Sequence, residues 1–320
     1  MKHLTLNEVA EFLRGHDDYT ILTHRRPAGD TVGCADALCR VLRALGKQAV
    51  IWDNPDFRPS QRQRRADLIE AGMRATVVAV DVAAESMLPV NFSGAVALCI
   101  DHHGSNTGYA GAGFVDSSAA ACGEILYTLF LQMGAAVSRT TAEALYLAIS
   151  TDTGCFRYAN TTPRTLRTAA ALMECGADTA AMNHRLFEVK TRARFALEAY
   201  LTETMRLYGG GKIGICQLPE AEKIRMGVTE DDADSIAGFA RDLEGVEIAA
   251  LLRDLPDAQC KISLRTETQR WDASAICARL GGGGHRGAAG ATVPGSIADG
   301  RSALLGAITA VTGLPIEEDA

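Results

Sequence analysis

Residues 23–33 read Thr23-His24-Arg25-Arg26-Pro27-Ala28-Gly29-Asp30-Thr31-Val32-Gly33. They follow a short apolar run at 19–23 that reads as a β-strand and open an apolar pattern of helical period at 32–45, closed by Gly46. A histidine and an aspartate on a Pro/Gly turn at a strand end are well placed to hold a metal. The same alternation continues outward. Residues 48–52, 76–80 and 96–100 read as strands, with a helix at 60–71. Strands apolar on both faces and separated by helices predict a parallel sheet covered on both sides, an α/β fold. In such sheets ligands bind beyond the carboxyl ends of the strands, and His24, Asp81 and Asp101 each fall directly after one.

The chain has 320 residues, 47% hydrophobic and 22% charged, with a net charge of −7. That length suits two domains, and the charge provides no global field to attract nucleic acid, so a phosphate-rich ligand must be held locally. No apolar run approaches the ~18–20 residues of a membrane span, and the N-terminus lacks a signal-peptide core. The nine cysteines include no C-x-x-C pair, and several sit in apolar runs. Buried, reduced thiols in a cytoplasmic protein account for them.

Thr5 and Glu8 have capping-box spacing ahead of a first helix. From residue 119 the pattern turns helical, at 123–133, 141–150, 163–175 and 179–187. A charged stretch at 188–206 reads as one long helix running into Gly209-Gly210-Gly211, a candidate hinge. The expected organisation is a catalytic domain at 1–187, a linker helix and hinge at 188–211, and a smaller α/β domain at 212–320. In that last part, strands are expected at 212–217, 246–252 and 260–264, and helices at 231–243, 273–280 and 298–312.

His24, Asp30, Asp81, Asp101-His102-His103 and Asp152 form a set of carboxylates and imidazoles at element ends. Without thiols, such donors suit Mn²⁺ or Mg²⁺ better than a tetrahedral zinc site. Taken singly, an aspartate after a strand is more often a turn or cap residue than a ligand, and Asp152 in Ser150-Thr151-Asp152-Thr153-Gly154 could simply close a turn. Asp101-His102-His103 resists that reading, because two adjacent histidines behind an aspartate have no packing purpose there.

Four ordered motifs now resemble those of the DHH phosphoesterase superfamily: His24-x-x-Pro27-x-Gly29-Asp30, Asp81 after Val77-Val78-Ala79-Val80, Asp101-His102-His103, and Thr151-Asp152-Thr153-Gly154. Gly281-Gly282-Gly283-Gly284-His285-Arg286-Gly287-Ala288-Ala289-Gly290 resembles the glycine-rich signature of the DHH-associated C-terminal domain. Size and signature are most similar to the NrnA-type group, which hydrolyses short oligoribonucleotides such as pApA and pGpG and often also 3′-phosphoadenosine 5′-phosphate (pAp).

The resemblance implies two Mn²⁺ ions, with Mg²⁺ as the other candidate. His24 and Asp81 would hold the first ion, and Asp30, Asp81, His102 and Asp152 the second. Asp101 would orient an imidazole, and His103 would face the scissile phosphate or the leaving oxygen. A hydroxide bridging the ions would be the nucleophile. Gly282, Gly283, Gly284 and His285 would grip phosphate or base, with Arg265 and Arg157 as further substrate contacts, and the two domains would close on a substrate of a few nucleotides. The run Arg62-Gln63-Arg64-Arg65 reads as a solvated helix face. A homodimer formed through 119–187 is also implied. One position departs from the pattern: where the family carries a carboxylate ligand, this chain has Ala28. Impaired turnover is therefore expected, and the rival readings are a cyclic di-AMP phosphodiesterase and a catalytically silent nucleotide-binding protein.

Overall fold

The computed structural model describes residues 1–234 and 236–319. It divides into two compact units, Met1–Val189 and Lys190–Ala320. The first contains β1 (Lys2–His3), α1 (Leu6–Gly15), β2 (Tyr19–Leu22), α2 (Gly29–Ala44), β3 (Ala49–Trp52), α3 (Pro59–Arg64) and β4 (Ile69–Glu70). After these come β5 (Thr76–Val80), β6 (Leu98–Asp101), β7 (Ala112–Val115), α4 (Cys122–Gln132), α5 (Arg139–Asp152), α6 (Pro163–Glu174) and α7 (Thr179–Asn183). Seven parallel strands form one sheet in the order β1-β7-β6-β5-β2-β3-β4. The order reverses between β2 and β5, and such a reversal opens a crevice at the carboxyl ends of the two strands. His24 and Asp81 lie just past those ends.

Local sequence explains the frame. The capping box at Thr5 and Glu8 starts α1, and β2 and β5 are buried along their whole length, as strands covered on both faces must be. The critical packing is α2 on α5. A Cβ on Gly29 would fall 2.2 Å from Thr151 Oγ1, and one on Gly33 2.3 Å from the Ala144 carbonyl oxygen. These two glycines let the helices approach closely and in opposite directions, which brings the last residue of α5, Asp152, beside the first turn of α2.

Two expectations for this unit are corrected. The helix expected at 60–71 ends at Arg64, because Leu68 is buried and its carbonyl accepts from the Ile51 N–H, drawing the chain out to a strand at the sheet edge. The run 62–65 is not a uniformly solvated face either: Arg65 is buried, with Nε 3.0 Å from Asp36 Oδ2, and Gln61 Nε2 donates to the Pro27 carbonyl at 3.0 Å, bracing the opening turn.

The second unit contains α8 (Arg192–Thr204), β8 (Arg206–Tyr208), β9 (Ile213–Leu218), α9 (Glu220–Met226), α10 (Glu230–Asp234), β10 (Ile248–Leu255) and β11 (Gln259–Thr266). It closes with α11 (Ala273–Ala278), β12 (Gly283–His285), β13 (Ala288–Pro294) and α12 (Ile297–Thr312). Its mixed sheet runs β12-β13-β11-β10-β9-β8, with apolar clusters on both faces. The linker-and-hinge expectation for 188–211 is corrected. α8 buries Leu197 and Leu201 in one of those clusters, and Gly209–Gly211, all at positive φ, turn the chain between the antiparallel strands β8 and β9. The helix expected at 231–243 is also broken: α10 and a 3-10 turn, Phe239–Asp242, occupy the stretch, and Ser235 lies outside the described residues. No helix among the described residues is long and apolar enough to cross a membrane.

Candidate metal centre

Each candidate ligand is aimed by its backbone. His24, at the end of β2, has Nδ1 2.6 Å from the Arg25 carbonyl oxygen, while the Ala28 N–H approaches its Nε2 at 3.5 Å. Nδ1 therefore carries the proton and Nε2 presents its lone pair. Burial pushes the His24 pKa down, which favours that neutral form. Its Nε2 lies 3.9 Å from Asp81 Oδ2. Asp81 follows β5 with a left-handed backbone, φ 58°, a conformation aspartate tolerates better than most residues, and its N–H donates to the Ile100 carbonyl. Asp30 is held at the start of α4, accepting N–H groups from Cys122 at 2.7 Å and Gly123 at 3.1 Å, a placement the helix dipole favours.

These groups converge on His102. Its Nδ1 sits 3.2 Å from the Ala119 carbonyl oxygen, and its Nε2 lies 3.7 Å from Asp30, 3.5 Å from Asp81 and 3.4 Å from Asp152 carboxylate oxygens. Two groups of potential ligand atoms result: Asp30, His102 and Asp152, and Asp81, His102 and His103. Asp101 orients the other histidine, as its Oδ1 accepts from His103 Nδ1 at 2.8 Å while its Oδ2 accepts from Asn106 Nδ2 at 2.7 Å.

The electrostatics show what the cluster lacks. Burial and then the Asp30 charge push the Asp81 carboxyl up to about 8, and Asp152 rises to about 6 for the same two reasons. Burial lowers the His102 pKa, but the nearby Asp81, Asp30 and Asp152 carboxylates outweigh it and lift the group to about 10. At 3.5 Å from His102 Nε2, Asp81 Oδ1 is buried and accepts no well-formed hydrogen bond among the described residues. Three carboxylates around one imidazole, with an unsatisfied oxygen among them, need more positive charge than one imidazolium supplies. Oxygen and imidazole donors in this arrangement fit a divalent cation. Ala28, at the N-cap of α2, contributes no side-chain donor.

Residues 18–149 match the model of the DHH family, N-terminal domain, and residues 201–311 that of the DHHA1 domain. A bifunctional oligoribonuclease and PAP phosphatase NrnA of Thermus thermophilus is 35% identical over 90% of this chain and 88% of its own length. The chain belongs to the DHH family, in its NrnA-type branch. The NrnA of Bacillus subtilis is 26% identical over 86% of this chain and 89% of its own. The crystal structure of an exopolyphosphatase-related protein from Bacteroides fragilis superposes on this DHH fold with a TM-score of 0.82, at 20% identity and over 95% of both chains.

Several supports of the DHH centre lie outside its motifs. Asn160 Nδ2 donates to the carbonyls of Ala120 and Asp152, both at 3.1 Å, tying the strand-to-helix loop to the end of α5. Arg164 lies 2.7 Å from Asp116 Oδ2 and 3.2 Å from Oε2 of the buried Glu124, clamping the two ends of the loop that carries the Ala119 carbonyl. Thr31 Oγ1 accepts from the His24 N–H and donates to the Val80 carbonyl, linking β2 to β5. In the DHHA1 unit one detail is corrected. Gly282, expected to grip phosphate or base, has its N–H on the Cys277 carbonyl, as its neighbour Gly281 has on that of Ala278. A Cβ on Gly282 would fall 2.1 Å from the Gly290 carbonyl oxygen, so this glycine serves close packing. Gly283, Gly284 and His285 form strand β12, in which His285 pairs with Ala288, itself paired with Arg265. Arg265 and His285 thus share one face of the sheet across a small residue. Arg157 is exposed, with its Nε on the Gly154 carbonyl at 2.7 Å.

Proposed function

We propose that this chain cleaves short oligoribonucleotides of a few nucleotides, such as pApA and pGpG, removes a phosphate from pAp, and depends on divalent cations, Mn²⁺ first. Its family makes it a phosphoric ester hydrolase; the substrate class is taken from the names of its NrnA relatives. The observation that carries the reading is His102 Nε2 within 3.4–3.7 Å of three carboxylates. In this proposal Asp30, Asp81, His102 and Asp152 hold one ion, and His24 and Asp81 a second. Bound there, the ions would polarise the phosphoryl oxygens and lower the pKa of a water.

The chain's own groups complete the chemistry. Asp101 accepts from His103 Nδ1 at 2.8 Å, which orients the ring, and that hydrogen bond raises the His103 pKa; in this proposal His103 assists the leaving oxygen. Arg157 from the first unit, and Arg265, Gly283, Gly284 and His285 from the second, are the candidates for holding phosphate or base. Ala28 removes a donor from the His24 side, so turnover is expected to be weak. A homodimer through the helical segment is supported by Leu131, Leu166 and Met173, large apolar side chains exposed on α4 and α6. Leu166→Glu should shift the mass measured by light scattering from dimer to monomer. The nine free cysteines suit a reducing cytoplasm.

The test is a panel of 5′-labelled pApA, pAp and cyclic di-AMP with Mn²⁺, against Asp30→Asn and Asp152→Asn. Mn²⁺-dependent release of mononucleotides from pApA, lost in both variants, is the expected result. Preferential cleavage of cyclic di-AMP, or cleavage of pApA in EDTA, would overturn it.

A further inference from the structure

Immediately after Asp152 the backbone does something costly. Gly154, Cys155 and Phe156 have φ values of 55°, 57° and 63°, a full left-handed turn in which only the first residue is glycine. L-residues enter that region singly and seldom in succession, and a bulky side chain there is an outlier. Such outliers persist where the surroundings over-determine them, and they concentrate at functional sites. Here the turn is pinned by the Cys155 N–H on the Ser150 carbonyl at 2.7 Å, by the Phe156 N–H on Thr153 Oγ1 at 3.1 Å, and by Arg157 and Tyr158 N–H groups that both donate to the Thr153 carbonyl at 3.0 Å. Phe156 is directed inward, against the ring of Tyr146.

The product of this turn is the placement of Tyr158. A Cβ on Gly154 would fall 2.3 Å from Cζ of Tyr158, far inside van der Waals contact, so the ring packs directly against the glycine. The side chain nevertheless remains 58% exposed, and its hydroxyl makes no hydrogen bond among the described residues. One face of the ring is therefore seated and the other open. Gly154 is two residues from Asp152, so at ~3.5 Å of chain per residue its Cα lies within roughly 7 Å of that of Asp152. Arg157 is the exposed neighbour of Tyr158.

A turn needed only to end α5 would not require an aromatic ring held open beside the acids. We infer that the open face of Tyr158 is a stacking platform for a nucleobase next to the phosphate under attack, which makes it a substrate-binding residue specific for nucleosidic phosphoesters. This rests on the oligonucleotide reading proposed above. Stacking on a protein aromatic is tolerant of base identity, and its loss costs a binding constant roughly 5- to 100-fold.

The experiment is calorimetric titration, with Mn²⁺ present, of a non-cleavable 5′-phosphorylated adenylyl dinucleotide and its abasic counterpart. Three proteins are compared: the unsubstituted chain, Tyr158→Leu and Tyr158→Phe. Thermal melts confirm that all three are folded. The expected result is that Tyr158→Leu binds the base-bearing dinucleotide roughly 5- to 100-fold more weakly, Tyr158→Phe restores the affinity, and the abasic ligand does not distinguish the three. Equal affinity of the base-bearing ligand for the unsubstituted and Leu proteins would overturn the inference while leaving the proposed function standing. So would an equal loss for the base-bearing and abasic ligands. If the unsubstituted chain binds neither dinucleotide, the reading of the function fails and this inference with it.

Discussion

Ala28→Asp would place a carboxylate at the N-cap of α2, with two consequences that can be separated. The backbone there is already extended, φ −79° and ψ −179°, and no side chain caps the helix. Aspartate in place of alanine at such a position is worth about 1 kcal/mol, which corresponds to a Tm higher by about 2–4 °C in a unit of this size. The second consequence opposes the first. The Ala28 N–H lies 3.5 Å from His24 Nε2, which is itself 3.9 Å from Asp81 Oδ2, so the new charge would join an acidic cluster that lacks a cation. Above pH 8, where Asp81 is ionised, two like charges ~4 Å apart at an effective dielectric near 20 repel by about 4 kcal/mol, more than the cap supplies. In EDTA at that pH the Ala28→Asp protein should therefore melt no higher than its parent. With Mn²⁺ the repulsion becomes attraction, and the gap between the EDTA and Mn²⁺ melting temperatures should widen.

A lost supporting partner commonly changes metal affinity ~10- to 100-fold, and a direct ligand should matter at least as much. The Mn²⁺ midpoint for pApA hydrolysis should fall by at least that factor, and kcat should rise. Ala28→Asn separates the effects, because it caps the helix without adding charge. It should raise the Tm equally with and without Mn²⁺ and leave turnover low. An unchanged Mn²⁺ midpoint and turnover in the Ala28→Asp protein would refute the assignment of position 28 to the metal.

Asp81→Asn should lose both Mn²⁺-induced stabilisation and turnover. Yet its metal-free form should melt a few degrees higher at pH 7, because an acid whose folded pKa is raised to about 8 destabilises the fold as pH climbs above its ordinary 3.8. Arg164→Met leaves the buried Glu124 without its cation. Since Arg164 is itself partly exposed, the cost should be about 1–3 kcal/mol by thermal melt, partly recovered in Arg164→Met/Glu124→Gln. Burial raises the Glu198 pKa, but hydrogen bonds from Lys190 and Arg194 outweigh it and hold the carboxyl below its ordinary 4.5. Its stabilisation is complete above that value and declines as pH falls through the lower folded pKa, so Glu198→Gln should flatten the acid limb of the second unit's unfolding curve.

The parallel sheet and the strand-end acids were legible because both depend on local pattern: apolar runs, turn residues and the position of a charge after a strand. What was not legible is mostly long-range. The N–H groups that hold Asp30 come from residues 92 and 93 positions away, and Arg164 reaches Asp116 across 48. No periodicity reports such contacts. A signal did exist for the meeting of Asp30 with Asp152: Gly29 and Gly33, one helical turn apart, weaken a helix unless something must come close. In the second unit the glycine run is expected to grip phosphate or base, but glycine serves close packing as well as ligand approach, and only the pairing of β12 with β13 separates the two. The long helix expected at 188–206 failed at its start, where Thr191 caps α8 and accepts from the Arg194 N–H.

The places where local rules fail also fall together. Asp81 takes a left-handed backbone, residues 154–156 form a left-handed turn, and three carboxylates share one half-buried imidazole, all around the carboxyl ends of β2, β5 and α5. Each is unfavourable by itself. The fold can carry them because the ligands stand on separate elements, each anchored by its own apolar contacts: β2 and β5 in the sheet, α2 locked on α5 by Gly29 and Gly33, and α4 through Ile125, Leu126 and Leu129. Removing a cation from such a site leaves the scaffold folded with an electrostatic conflict at its centre. Stability should therefore respond to Mn²⁺ more strongly than the small area of the site would suggest. The response should disappear in Asp81→Asn, where the conflict itself has been removed.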